Sequence, residues 1–219
     1  MHADAASTSR QAARRRLPRE ERARQLLEVA AEVFAERGVR GTTMGDIAAR
    51  AGVTKPIVYD HFRSKDSLIA AVVTGAGATL REALVAAVAA APTGEQALAD
   101  ALGAYFRFVE ERRTGLHSLL SEGLGSGTEA AQALEQVRDE LAGLIATLLA
   151  RHLSGVAPAQ ARPYSEIVVG AAERLATRPA AAQPEDPERL VRHVMDVLWT
   201  GFAALSEGRR WSQHEPDSD

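Results

Sequence analysis

The stretch Thr42-Thr43-Met44-Gly45-Asp46-Ile47-Ala48-Ala49-Arg50-Ala51-Gly52-Val53-Thr54-Lys55-Pro56-Ile57-Val58-Tyr59-Asp60-His61-Phe62 reads as two short helices joined by a tight turn. The spacing predicts helices over about 44–50 and 55–61. Two helices that cross steeply need a small residue where the second presses on the first, and Ala48 supplies it. Four residues later the turn benefits from a positive φ, which Gly52 adopts without strain. Ile47, Ala51, Val53 and Val58 then form a small shared core. Thr43 is expected to cap the first helix, with Asp46 at N3, and Thr54 to cap the second. Pro56 is tolerated because the first helical turn has no intrahelical donor to lose. A plain helical hairpin could use the same residue types, and Ala-x-x-x-Gly alone carries little information. The coincidence of small residue, glycine, two caps and β-branched core positions within one window points to a helix-turn-helix.

The second of these helices turns suitable chemistry outward. Thr54, Lys55, Pro56 and Tyr59 lie at or near the end from which such helices approach base edges. Tyr59, His61 and Lys65 can donate to phosphates. Asp60 is the odd member: a carboxylate near phosphate is repulsive, so it should point away or act against wrong sequences.

Outward from this window nearly everything reads as helix, because apolar positions recur at three and four and period-2 alternation is missing. A helix from about Pro18 to Arg37 carries the stripe Leu26, Leu27, Ala30, Val33 and Phe34 and stops at Gly38. A long helix is expected from Lys65 to about Ala90. Others follow over about 95–113, 115–122, 128–153, 164–177 and 187–206, with Thr128 as a cap. Residues 1–17 read as a disordered Arg-rich arm and 178–186 as an exposed loop. The expected class is all-α with about nine helices: a three-helix DNA-binding domain over 18–64, then a larger helical domain over 65–219.

Charge follows the same division. Residues 1–65 hold 13 Lys and Arg against 8 Asp and Glu, a net of +5, while the remainder holds 13 against 21. A basic end on an acidic body suits a protein that meets a polyanion at one end. Arg14, Arg15 and Arg16, just before the first helix, could reach an adjacent minor groove. With no cysteine, disulfides and thiolate metal sites are excluded. The six histidines show no pair at metal-ligand spacing, so no metal and no cofactor are expected. No apolar run approaches the roughly 18 residues needed to cross a bilayer. The N-terminus has no signal-peptide core, so the expectation is a cytoplasmic protein without a membrane partner.

The motif Thr43…Ile47-Ala48-x-x-Ala51-Gly52-Val53-Thr54-Lys55-x-x-Val58-Tyr59-x-His61-Phe62-x-Ser64-Lys65-x-x-Leu68 resembles the N-terminal domain of TetR-family transcriptional regulators. The match covers about residues 20–70; beyond it the likeness is one of architecture. The resemblance implies a homodimer joined by the last two long helices and a palindromic operator in double-stranded DNA. It also implies, most often, a repressor released by a small molecule bound in the body. Carried over position by position, it places DNA contacts at Thr42, Thr43, Thr54, Lys55, Pro56, Tyr59, His61 and Lys65. Many relatives have Gly where this chain has Pro56, which leaves base preference there open. Candidate lining for the effector cavity is Tyr105, Phe108, His117 and Glu122, with Arg81 from the long helix. Candidate dimer residues are Ile167, Ala171, Leu175, Val194, Leu198 and Phe202, with Gly170 and Gly201 allowing close approach. The same stripes could also be ordinary core.

Catalysis is disfavoured, and no catalytic residue is assigned. Gly123-Leu124-Gly125-Ser126-Gly127 lacks the Gly-x-Ser-x-Gly register and a preceding strand, and no Gly-rich loop ends in Lys-Ser or Lys-Thr. A sequence-indifferent nucleic-acid binder remains as the rival reading, to be separated by sequence preference.

Overall fold

The computed structural model describes residues 17–112, 127–153, 156–178 and 186–209. The expected arm over 1–17 apart from Leu17, the short helix over 115–122 and most of the 178–186 loop lie outside these residues. So do His117 and Glu122.

Eight helices and no strand occur among the described residues: α1 (Arg19–Arg37), α2 (Met44–Ala51), α3 (Lys55–His61), α4 (Lys65–Val88), α5 (Gly94–Glu111), α6 (Glu129–His152), α7 (Pro158–Thr177) and α8 (Pro187–Ser206). The starts and stops have local causes. Glu20 and Glu21 sit in the positive first turn of α1, and Gly38, at φ 75°, returns its N–H to the Phe34 carbonyl at its end. Ser64 and Ser67 form a reciprocal capping box at the start of α4, and Thr93 and Thr128 cap α5 and α6.

One boundary departs from expectation. Helix α7 begins at Pro158 rather than near 164, and Pro163 lies inside it. The proline forgoes a single bond to the Ala159 carbonyl. Both residues are exposed, so that carbonyl is left to water rather than stranded in the core.

Two apolar cores form, and α4 serves both. The head core gathers Leu26, Ala30 and Phe34 of α1, Met44, Ile47 and Ala48 of α2, Val58 of α3, and Leu68, Ile69, Val72 and Val73 of α4. The body core takes Leu80 and Leu84 of the same helix with residues of α5 to α8. The first turn of α6 also reaches the head: Ala130 is buried in its core, and the Glu129 N–H donates to the Asp66 carboxylate at 2.7 Å. Where α4 and α6 cross, Gly77 lets the helices close up; a Cβ there would lie 2.4 Å from Val137 Cγ2. The reading end and the body therefore meet along α4, about 36 Å long at 1.5 Å per residue.

The membrane expectation needs one correction. Helix α4 is long and apolar enough, by length and composition, to cross a bilayer. The sequence reading overlooked it because its charge-free stretch from Ser67 to Leu80 is built mostly of Ala, Gly, Val and Thr, with Leu68, Ile69 and Leu80 as its larger apolar residues. Its large apolar residues are spent on the two cores.

Candidate nucleic-acid interface and body cavity

The turn between α2 and α3 forms as its residues require. Thr43 accepts from the Asp46 N–H at 3.2 Å, and the Asp46 carboxylate accepts from the Thr43 backbone N–H at 2.8 Å. The Thr43 hydroxyl also donates to that carboxylate at 2.6 Å, and these bonds hold the Asp46 carboxyl below its usual range. Gly52 sits at φ 65°, ψ 34°, the left-handed conformation that a side chain would strain. The Val53 N–H then closes on the Ala48 carbonyl at 3.0 Å. Val58 points into the head core, and the opposite face of α3 presents Lys55, Pro56, Tyr59 and Asp60 to solvent, with Thr54 exposed just ahead. Tyr59 is 43% exposed, and the Lys55 ammonium lies 5.8 Å from its ring centroid. An exposed phenol beside a cation is a ready phosphate contact.

Three expected contacts are placed differently. Thr42 is 1% exposed, and its hydroxyl donates to the Gly38 carbonyl at 2.7 Å. It satisfies the end of α1 and is withdrawn from the surface, so it is removed from the DNA contacts. Thr54 occupies the N-cap position of α3 but makes no side-chain cap. The N2 residue is Pro56, which has no N–H, and the N3 N–H of Ile57 is taken by the Thr54 backbone carbonyl at 3.0 Å. The Thr54 hydroxyl is thereby left for a partner outside the helix. His61 is only partly exposed. Burial, then the nearby Arg19 and Arg22 charges, pull its pKa below the usual value. Lys65 opens α4 and is half-buried.

Sequence reasoning missed Arg63, which is exposed in the link between α3 and α4. Its signal was available, since it lies between Phe62 and Ser64-Lys65 in a basic run. Arg19 was missed too: it donates to the Asp60 carbonyl at 3.2 Å and ties the start of α1 to the end of the reading helix.

In the body, α4, α5, α6 and α7 border a partly open cleft with a cavity volume of about 80 Å³, lined by Val73, Ala76, Leu80, Phe108, Val109 and Leu141, among others. Tyr105 and Phe108 face it as expected, whereas Arg81 is exposed on α4 and does not line it. Its polar wall is an ion pair between Arg138 and Glu173, residues 35 apart in sequence and not anticipated. Burial, and then the Glu173 carboxylate, push the Tyr105 phenol above its ordinary range.

The expected dimer residues divide. Val194 and Phe202 are buried in the chain's own core, and Leu175 and Leu198 pack against it. Ala171 is half-buried. Ile167 is 55% exposed, and Val197, which was not among the candidates, is 72% exposed. A Cβ added at Gly170 or Gly201 would meet nothing within 4 Å.

Comparison with known proteins agrees with this arrangement. Residues 26–72 match the family described as bacterial regulatory proteins, tetR family, and residues 94–201 match the tetracyclin repressor-like C-terminal domain. The chain is 33% identical over 147 residues to the HTH-type transcriptional activator FasR of Mycolicibacterium smegmatis, covering 67% of each protein. It is 44% identical over 73 residues to the HTH-type transcriptional repressor Rv3405c of Mycobacterium tuberculosis, covering 32% of this chain and 39% of that one. The fold resembles that of the regulator FadR from Bacillus subtilis, solved in complex with stearoyl-CoA, with a TM-score of 0.69, 19% identity, and coverage of 81% of this chain and 98% of that one. With a helix-turn-helix head, an all-helical body and a 33% identical relative matched over two thirds of its length, the chain belongs to the TetR family of transcriptional regulators.

Proposed function

We infer that this DNA-binding regulator acts as a homodimeric repressor that leaves a palindromic operator when a small molecule enters the body cleft. The observation that carries the reading is the solvent-facing side of α3, with Thr54, Lys55, Pro56 and Tyr59 grouped on a head whose core continues into α4. Thr43, His61, Lys65 and Arg63 flank that face, and the contact set is these eight residues without Thr42. Two heads held by a dimer must match half-sites spaced along one side of the duplex. A ligand that favours a different head spacing lowers DNA affinity by its differential binding, typically about 1–3 kcal/mol. The cleft borders α4 at Val73, Ala76, Gly77 and Leu80, so an occupant presses directly on the helix that carries the head. Work on chromosomal DNA places the protein in the cytoplasm, and no catalytic step belongs to this reading.

Selection from random duplex DNA at physiological salt tests it. An inverted repeat should be enriched, preferred over random duplex by about 10³-fold or more. Retention without enrichment would instead favour a sequence-indifferent binder. An activator is the second reading, favoured by the 33% identical FasR; a reporter behind the selected site separates the two by the sign of its response to deletion of the regulator.

Tyr59 provides a finer test. Tyr59→Phe removes one donor from the exposed face, so affinity should fall about tenfold for all duplexes alike, in line with a bond to a charged acceptor. The measurement is a pair of binding isotherms, on the selected site and on a scrambled one. A change in the preferred site would show that Tyr59 reads bases.

A further inference from the structure

We propose that the body cleft is built for an apolar ligand whose polar group is uncharged, a hydroxyl or carbonyl received by Tyr105, and that it rejects carboxylates. This rests on the effector reading above and goes further by naming the ligand's chemistry.

The argument begins with what the polar wall has left to offer. Apolar side chains make up nearly all the lining. The one cation among the lining residues is Arg138, and it is already committed. Its Nε donates to Glu173 Oε2 at 2.8 Å, a second nitrogen bonds the other Glu173 oxygen, and Glu135 takes the third. Among the described lining residues an anion entering the cleft would find no uncommitted positive charge, and it would approach Glu173. Burying a carboxylate without a compensating partner is strongly unfavourable, and such a group takes up a proton instead.

Tyr105 is different. Its hydroxyl has no hydrogen-bond partner among the described residues, although its ring packs against the body core. The residue stands between the cleft and a second void of about 30 Å³, lining both together with Leu141 and Val169. A phenol that borders the cleft without a protein partner is open to a ligand's hydroxyl or carbonyl, which takes the place of water there. Anionic groups have a better host elsewhere: Arg151 and His152 line a separate groove at the far end of α6.

Probes of closely matched length, eight or nine carbons, test the idea on the full chain without DNA. 1-Octanol, 2-nonanone and octanoate are titrated calorimetrically at pH 8, and octanoate is also tried as a competitor of octanol. Octanol and nonanone should bind, with octanoate at least about 30-fold weaker as a competitor. Tyr105→Phe, which keeps the ring and its packing, should weaken octanol about 3- to 10-fold, the worth of one neutral hydrogen bond. It should leave octanoate unchanged. Octanoate displacing octanol at equal or lower concentration would overturn the proposal. So would no binding by either neutral probe, or an octanol affinity indifferent to Tyr105→Phe. A separate titration with operator DNA keeps the two readings apart. If octanol binds through Tyr105 yet leaves DNA affinity unchanged, the effector reading fails while the ligand assignment stands.

Discussion

Phe34→Ala should unfold the reading head while leaving the body helical. Phe34 is fully buried in the core that Leu26, Ala30, Met44, Ile47, Val58 and Leu68 share, and that core draws on all four helices α1 to α4. Truncating a buried phenylalanine costs about 3–5 kcal/mol in transfer and cavity terms. A whole small domain is stable by only about 5–15 kcal/mol, and the head core is built from few residues. Body residues such as Leu98, Phe106 and Ile145 belong to the other core and keep their contacts. Urea unfolding followed by far-UV circular dichroism should therefore split into an early transition from the head and a later one near the wild-type midpoint. Duplex binding should fall by more than about 100-fold, the equivalent of some 3 kcal/mol at 1.4 kcal/mol per decade. A single transition at the wild-type midpoint would mean that the two cores unfold as one and that Phe34 is not the keystone of the head.

The head was legible in the sequence because its demands are local. Thr43, Ala48, Gly52 and Val58 each answer a requirement set within four or five residues, and each is found in that role. The misplacement of Thr42 has a tertiary cause: its partner is the Gly38 carbonyl at the end of the preceding helix, and residue type alone does not distinguish an inward hydroxyl from an outward one. The Thr54 cap was a different kind of miss. Pro56 at N2 removes one of the two N–H groups such a cap can use, and that much is written in the sequence.

In the body, legibility falls with sequence separation. The span of α5 was readable, expected over about 95–113 and found at Gly94–Glu111, but the pairing of Arg138 with Glu173 joins two helices and has no local signature. Periodicity also cannot say which of two apolar stripes on one helix faces the chain's own core. On α8, Val194 and Phe202 turned inward while Val197 turned out. Only packing resolved that choice.

Val197→Asp should therefore separate the proposed dimer into monomers and abolish operator recognition. The exposed side of α8 carries His193, Val197 and Gly201, spaced by four, with Ala204 half-buried after them; that of α7 carries Pro163, Ile167 and Gly170. Residues at this spacing lie on one face, and small residues among them let a second helix approach closely. Among the described residues that space is unused, since a Cβ at either Gly170 or Gly201 meets nothing within 4 Å. Two-fold symmetry applies a substitution twice, so Val197→Asp would bring two carboxylates into one desolvated contact. A charge buried without a partner costs several kcal/mol, enough to raise the dimer dissociation constant by about 10³-fold or more. Sedimentation velocity at micromolar protein should show a dimer for the wild type and for Val197→Ala, and a monomer of 23.4 kDa for Val197→Asp. Operator affinity should fall toward that for random duplex, because a lone head reads one half-site. A Val197→Asp protein that sediments as a dimer would move the interface off α7 and α8. The two heads would then be held by some other face, and the lever from cleft to DNA would need a different geometry.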